Sequence, residues 1–213
     1  MNLQDLAKLS DSSCFIQIEL NDMIKEIGEE EAKSILSYFS CPLNPDVEKF
    51  LKYKAIEFSK RGFAKTTVVY WVSGDGSEKE LVGYYTVADK VIQISNDYLS
   101  SKDRRALYGH SKFDESTRTH WISAPLIAQL GKNFTNGNDT LISGKELLQL
   151  AMTKVEKVNT LIGTKMAYLE CEDKEQLTNF YKSNGFKYFG ERKLDRDESD
   201  LSGSYLLQFF TTL

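Results

Sequence analysis

Over its second half the chain changes element type in an order that few folds accommodate. Residues 121–130 (WISAPLIAQL) have the apolar character of a strand, and the polar stretch 131–143 with Gly137 separates them from a helical pattern. Leu147, Leu148, Ala151, Val155 and Val158 mark the inner stripe of that helix. Residues 166–172 (MAYLECE) read as a strand and residues 174–183 as a helix stopped at Gly185-Phe186; two strands follow, around Tyr188 and Leu206. Strand, loop, helix, strand, helix, strand, strand implies an α/β (α+β) architecture, a mixed sheet with helices packed on it.

The first half adds a helix and more sheet. After an amphipathic opening, Asn44-Pro45 combines a capping residue with a first-turn proline, and Val47, Phe50, Leu51 and Phe58 recur at helical spacing. The helix should stop near Gly62, because residues 66–72 (TTVVYWV) are β-branched and aromatic and run into the turn sequence SGDG. Residues 80–87 (ELVGYYTV) and 90–95 (KVIQIS) then predict an antiparallel meander, which makes the central sheet mostly antiparallel. Residues 96–120 are polar and predict a surface excursion holding at most a short helix.

With 213 residues, no internal repeat and no linker, the chain reads as one domain over residues 1–213. A net charge of -4 argues against attraction of nucleic acid to the whole surface, although a local patch survives that argument. Cys14, Cys41 and Cys171 have no metal-ligand spacing, and His110 and His120 lie far apart, so no metal site is expected. No basic segment precedes an apolar run, and no apolar run is long enough to span a bilayer, so the expectation is a cytoplasmic protein with reduced thiols and no membrane contact.

A loop that feeds a helix directly after a strand has free N–H groups at the positive end of the helix dipole. Leu141, Ile142, Ser143, Gly144 and Lys145 are the candidate anion-binding residues on this basis, with the Lys145 side chain available to offset charge. Glu170 and Glu172 fall on one face of the predicted strand by period two, with Cys171 opposite, and either carboxylate is a candidate base acting through water.

Two blocks resemble the GNAT acetyltransferases: IAQLGKNFTNGNDTLISGKELLQLA (127–151) is similar to their strand, pyrophosphate loop and helix, and YLECEDKEQLTNFYKSNGF (168–186) to the following strand and helix. The second block ends in the Tyr-x-x-x-Gly-Phe signature, here Tyr181 to Phe186. Where the family loop has Arg or Gln, then Gly, then Gly or Ala, this chain has Asp139, Ile142 and Gly144, of which Gly144 matches. The resemblance implies a GNAT-like acyl-CoA N-acyltransferase fold and acetyl-CoA as the acetyl donor. It also implies pantetheine pairing and an oxyanion N–H along Gln129, Leu130 and Gly131, with Tyr181 as the acid that protonates the thiolate.

The acceptor is then a small-molecule or macromolecular primary amine. A finer likeness, in CPLNPDVEKFLKYKAIEFSKRGFAKTTVVYWV followed by LVGYYTV, is to the toxin-type GNAT enzymes of bacterial toxin-antitoxin pairs, which acetylate aminoacyl-tRNA. Lys49, Lys52, Lys54, Lys60, Arg61 and Lys65 stand in that stretch as candidates to face phosphates. The competing readings are a solvated helix face and a non-catalytic acyl-CoA-binding module. Sheet edges and the segment SYLLQFF are candidates for pairing into a homodimer.

Overall fold

The computed structural model describes residues 14–194 and 203–213, so the start of the amphipathic opening lies outside the described residues. The chain divides into two compact units: one holds the described residues up to Thr86 together with Gln129–Leu148, the other Val87–Ala128 together with the described residues from Gln149 onward. Each has its own core, and the fold class is the mixed, mostly antiparallel sheet with flanking helices that the sequence predicts.

In the first unit, β1 (Cys14–Glu19) runs antiparallel to β2 (Lys65–Val72), with Cys14 opposite Val72 and Glu19 opposite Thr67. Helices α1 (Leu20–Ile27) and α2 (Glu29–Ser37) lie between them in sequence. They are separated by Gly28, whose φ of 85° is a left-handed conformation that glycine adopts without a Cβ clash.

Asn44 starts α3 (Pro45–Lys49) as the sequence predicts: its side-chain oxygen accepts the N–H groups of Asp46 at 3.1 Å and Val47 at 3.3 Å. The helix continues through a π-helical turn, Phe50–Lys54, into α4 (Ala55–Lys60). Leu36, Phe39, Val47 and Leu51 pack into a core with Tyr84, whose ring meets that of Phe39 edge-on at 5.2 Å.

β3 (Lys79–Ser95) is one strand of 17 residues, where the sequence predicts two legs of a meander. Asp89 is a turn-forming residue type, but neither glycine nor proline stands beside it. The Asp89 carboxylate instead accepts the Ser123 hydroxyl at 2.8 Å from β5 (Thr119–Lys132). Both strands cross from one unit into the other, as does α6 (Gly144–Ile162).

The second unit orders its strands β3-β5-β6-β8-β7, with β6 (Met166–Cys171), β7 (Lys187–Lys193) and β8 (Tyr205–Thr212), while β4 (Lys112–Asp114) pairs with β5. The predicted surface excursion contains α5 (Ser101–Leu107), and α7 (Glu175–Ser183) follows β6. β8 lies antiparallel to both β6 and β7, whereas β5 and β6 are parallel and pair only through Leu126–Tyr168 and Ile127–Leu169. No helix among the described residues is long and apolar enough to cross a membrane.

Candidate active site

The stretch between β5 and α6 is anchored from beneath by buried asparagines. Asn133 donates its side-chain amide to the Leu81 carbonyl at 2.8 Å and accepts the N–H of Ser40 at 2.9 Å. Asn138 donates to the Glu80 carboxylate at 2.9 Å and to the Leu81 carbonyl at 3.2 Å. Their side chains replace the ladder bonds that the kinked 3-10 segment Thr135–Thr140, with positive φ at Asn136 and Gly137, does not make with β3. Lys132 adds a third tie, donating to the Asp139 carbonyl at 2.6 Å and to that of Ile142 at 3.0 Å.

Ile142 occupies the place of a family glycine, but only 2% of it is exposed, so its side chain fills the core and leaves the outer side of the loop open. Ser143 and Glu146 then cap α6 reciprocally: the Ser143 hydroxyl accepts the Glu146 N–H at 3.1 Å, and the Glu146 carboxylate accepts the Ser143 N–H at 2.8 Å. The Ser143 side chain first and its main-chain N–H second, both beside the carboxylate, hold the Glu146 carboxyl below its ordinary pKa. The Ser-x-x-Glu spacing of residues 143–146 is the sequence signature of this box. Gly144 and Lys145 are the first helical residues, whose N–H groups have no carbonyl a turn earlier within the helix.

Gln129, Leu130 and Gly131 lie on β5 beyond its short ladder with β6. Gly131 is a close-contact position, because a Cβ there would stand 2.3 Å from Val47 Cγ1 and 3.3 Å from Tyr84 Cε1. The Gln129 side chain donates to the Asp46 carboxylate at 3.2 Å and accepts the Tyr84 hydroxyl at 3.4 Å. These contacts hold the end of β5 against α3 and Tyr84. The anchored loop, the Lys132 charge and the start of α6 fit a pyrophosphate group.

In the second unit, Tyr181 projects from α7 against Phe186 and Phe209, with ring centroids 6.0 and 6.3 Å away. Burial raises its pKa, and the neighbouring Cys171 raises it further, so the phenol keeps its proton through the neutral range. Burial likewise pushes the Cys171 thiol up to about 12, with Asp173 and Glu172 contributing, which makes it a poor nucleophile.

Phe209 pairs with Leu169 across β8 and β6, so Tyr181 covers the Leu169–Cys171 face of that sheet. Glu170 is on the other face. Its carboxylate accepts from Tyr168, from Arg192 Nε at 2.6 Å and from Gln208 Nε2 at 3.1 Å. Glu172, which the sequence places on the same strand face as Glu170, instead follows the end of β6 and accepts from Lys174 Nζ at 2.6 Å. The strand is one residue shorter than expected, because the chain turns at Glu172, whose carbonyl accepts the Lys174 N–H at 2.8 Å ahead of α7.

Three cations of the predicted basic stretch are neutralised by carboxylates. Lys52 pairs with Glu48 at 2.7 Å, Lys60 with Glu29 at 2.8 Å, and Arg61 with Glu57 at 3.5 Å. The helical spacing of Glu48–Lys52 and Glu57–Arg61 was visible in the sequence; the Glu29–Lys60 pair required the fold.

No protein-family model and no curated protein matches this chain. Solved structures do match. A Tyr-to-Phe mutant of KacT superposes with a TM-score of 0.59 at 16% identity, covering 93% of this chain and 94% of that one. The fold is that of the AtaT and KacT toxins. A structure of AtaT complexed with acetyl-methionyl-tRNAfMet matches with a TM-score of 0.56 at 16% identity, over 91% of this chain and 94% of AtaT. Another, of AtaTR bound with AcCoA, gives 0.55 at 17%, over 95% and 94%. In this fold, β5, the anchored loop and α6 are the strand, loop and helix whose sequence resembles the coenzyme-binding block of the GNAT acetyltransferases.

Proposed function

We propose that this protein is an acetyl-CoA-dependent N-acetyltransferase acting as a single catalytic domain by direct transfer to a primary amine. The observation that carries the reading is the anchored loop running from β5 into α6 on a fold shared with AtaT and KacT. Of the loop Leu141, Ile142, Ser143, Gly144 and Lys145, the main-chain N–H groups of Ile142, Gly144 and Lys145 hold the pyrophosphate, since those of Leu141 and Ser143 donate to the Asn138 carbonyl and the Glu146 carboxylate, and Gln129, Leu130 and Gly131 pair with the pantetheine arm through their main chain. Acetyl-CoA supplies an activated thioester as the second substrate. One N–H of the β5 segment stabilises the oxyanion that forms as the amine attacks the carbonyl carbon.

Tyr181 donates to the departing sulfur. Burial keeps its phenol protonated, so it stabilises the negative charge that grows on sulfur as the C–S bond breaks by donating a hydrogen bond, and the thiolate, of pKa about 8.5, leaves as the weaker base. The amine loses its proton through water, with Glu172 the base we favour, because all the bonds of Glu170 lie on the face of β6 away from Tyr181. Tyr181→Phe should lower kcat by about 100-fold, the scale of one acid catalyst, with acetyl-CoA affinity nearly unchanged. Equal kcat for variant and parent would remove the acid role.

For the acceptor, the AtaT complex with acetyl-methionyl-tRNAfMet favours an aminoacyl-tRNA. Transfer of labelled acetyl groups to charged tRNA, compared with polyamines and lysine peptides, decides the matter. Label on small amines but not on charged tRNA would exclude the tRNA reading. Acetyl-CoA binding with no transfer to any amine would instead favour the non-catalytic module.

A further inference from the structure

Lys132 closes β5, and its ammonium group is directed at two main-chain carbonyls of one loop, those of Asp139 and Ile142. Among the described residues it makes no ion pair with a carboxylate, in contrast to Lys52 and Lys60. Its charge is therefore retained beside the start of α6. In a planar trans peptide the C=O and the following N–H point in opposite directions. Holding the Asp139 and Ile142 carbonyls inward turns the N–H groups of Thr140 and Ser143 outward. At Ser143 that outward side already receives an anionic oxygen, the Glu146 carboxylate at 2.8 Å.

The loop itself carries Asp139 where the family pattern has a cation or an amide, and Glu146 adds a second negative charge. A pyrophosphate arriving at such a loop meets repulsion unless a nearby cation offsets it.

We infer that Lys132 is a positioning residue for coenzyme A, orienting the loop amides and supplying from the end of β5 the positive charge that the loop lacks at Asp139. The inference rests on the acetyl-CoA reading above. It belongs to this chain's own residues, since the lysine is outside the loop pattern and reaches it only through the fold.

The test is calorimetric titration of the full chain, as wild type, Lys132→Met and Lys132→Arg, with acetyl-CoA and with S-acetylpantetheine, which lacks the pyrophosphate. Lys132→Met should weaken acetyl-CoA binding by about 10- to 100-fold, the scale of losing charge-assisted hydrogen bonds, and Lys132→Arg should recover most of it. S-acetylpantetheine should bind all three proteins equally. Equal acetyl-CoA affinity in wild type and Lys132→Met would overturn the inference while leaving the acetyl-CoA reading intact. Equal losses for both ligands would also overturn it, by making Lys132 purely structural. Failure of the wild type to bind either ligand would remove the acetyl-CoA reading itself. Should Lys132→Met not fold, Lys132→Gln, which keeps an N–H donor but not the charge, replaces it with the same expected selective loss.

Discussion

Single positions in the loop region work by shape as much as by chemistry. Gly131 has neighbours so close that a methyl group would stand 2.3 Å from Val47 Cγ1, and both sides belong to packed elements that cannot retreat separately. Gly131→Ala should therefore destabilise the fold by about 1–3 kcal/mol, the usual range for overpacking, and lower the urea midpoint without changing the slope. A midpoint equal to that of the parent would show that Val47 and Tyr84 yield freely. Ile142 is the opposite case. By sequence alone it appears as a bulky intruder in a glycine position, yet its burial turns it into the weight that holds the loop down. A residue's side is decided by the local backbone path, which short-range spacing does not encode in an irregular loop.

At the scale of elements, the second unit contains a charged tie that the sequence did not announce. Asp103 caps α5 in a reciprocal box with Ser100 and accepts Lys187 Nζ of β7 at 2.7 and 2.8 Å, while its side chain is 1% exposed. Burial alone would raise its pKa, but the bonds from Lys187 and Ser100 outweigh it and leave the carboxyl below its ordinary value. A carboxyl lowered in the folded state contributes stability that is complete above its unfolded value and disappears as pH falls through the folded one. Wild type should therefore lose stability on acidification below the ordinary aspartate range, and Asp103→Asn should be less stable near neutrality but flatter across that window. Urea unfolding at neutral and acid pH measures both curves; parallel curves would show that this pair has no part in the acid response. Asp103 and Lys187 are 84 residues apart, so no local pattern links them.

For the whole molecule, binding of acetyl-CoA to the folded chain alone should raise its stability by about 2.7 kcal/mol at a ligand concentration about 100 times Kd. Thermal unfolding with and without the ligand reads this as an upward shift, and an unchanged melting temperature under saturating ligand would contradict the proposed function. The same comparison with Gly144→Glu, which adds a carboxylate at the start of α6, should show a much smaller shift.

The sequence by itself determined the order of strands and helices from β5 onward, the Asn44-Pro45 cap, the inner stripe of α6 and the loop that leads into it. Each of these is written in neighbouring residues, through periodicity, capping and turn chemistry. Only the tertiary structure decided that β3 runs unbroken through Ala88-Asp89, because there the Asp89 carboxylate accepts the Ser123 hydroxyl of the neighbouring strand instead of closing a turn. Only it put Tyr181 and Glu170 on opposite faces of β6, and only it delivered Lys132 to the carbonyls of Asp139 and Ile142. Those outcomes depend on which backbone atoms meet across long separations, and that follows from packing, not from the spacing of residues along the chain.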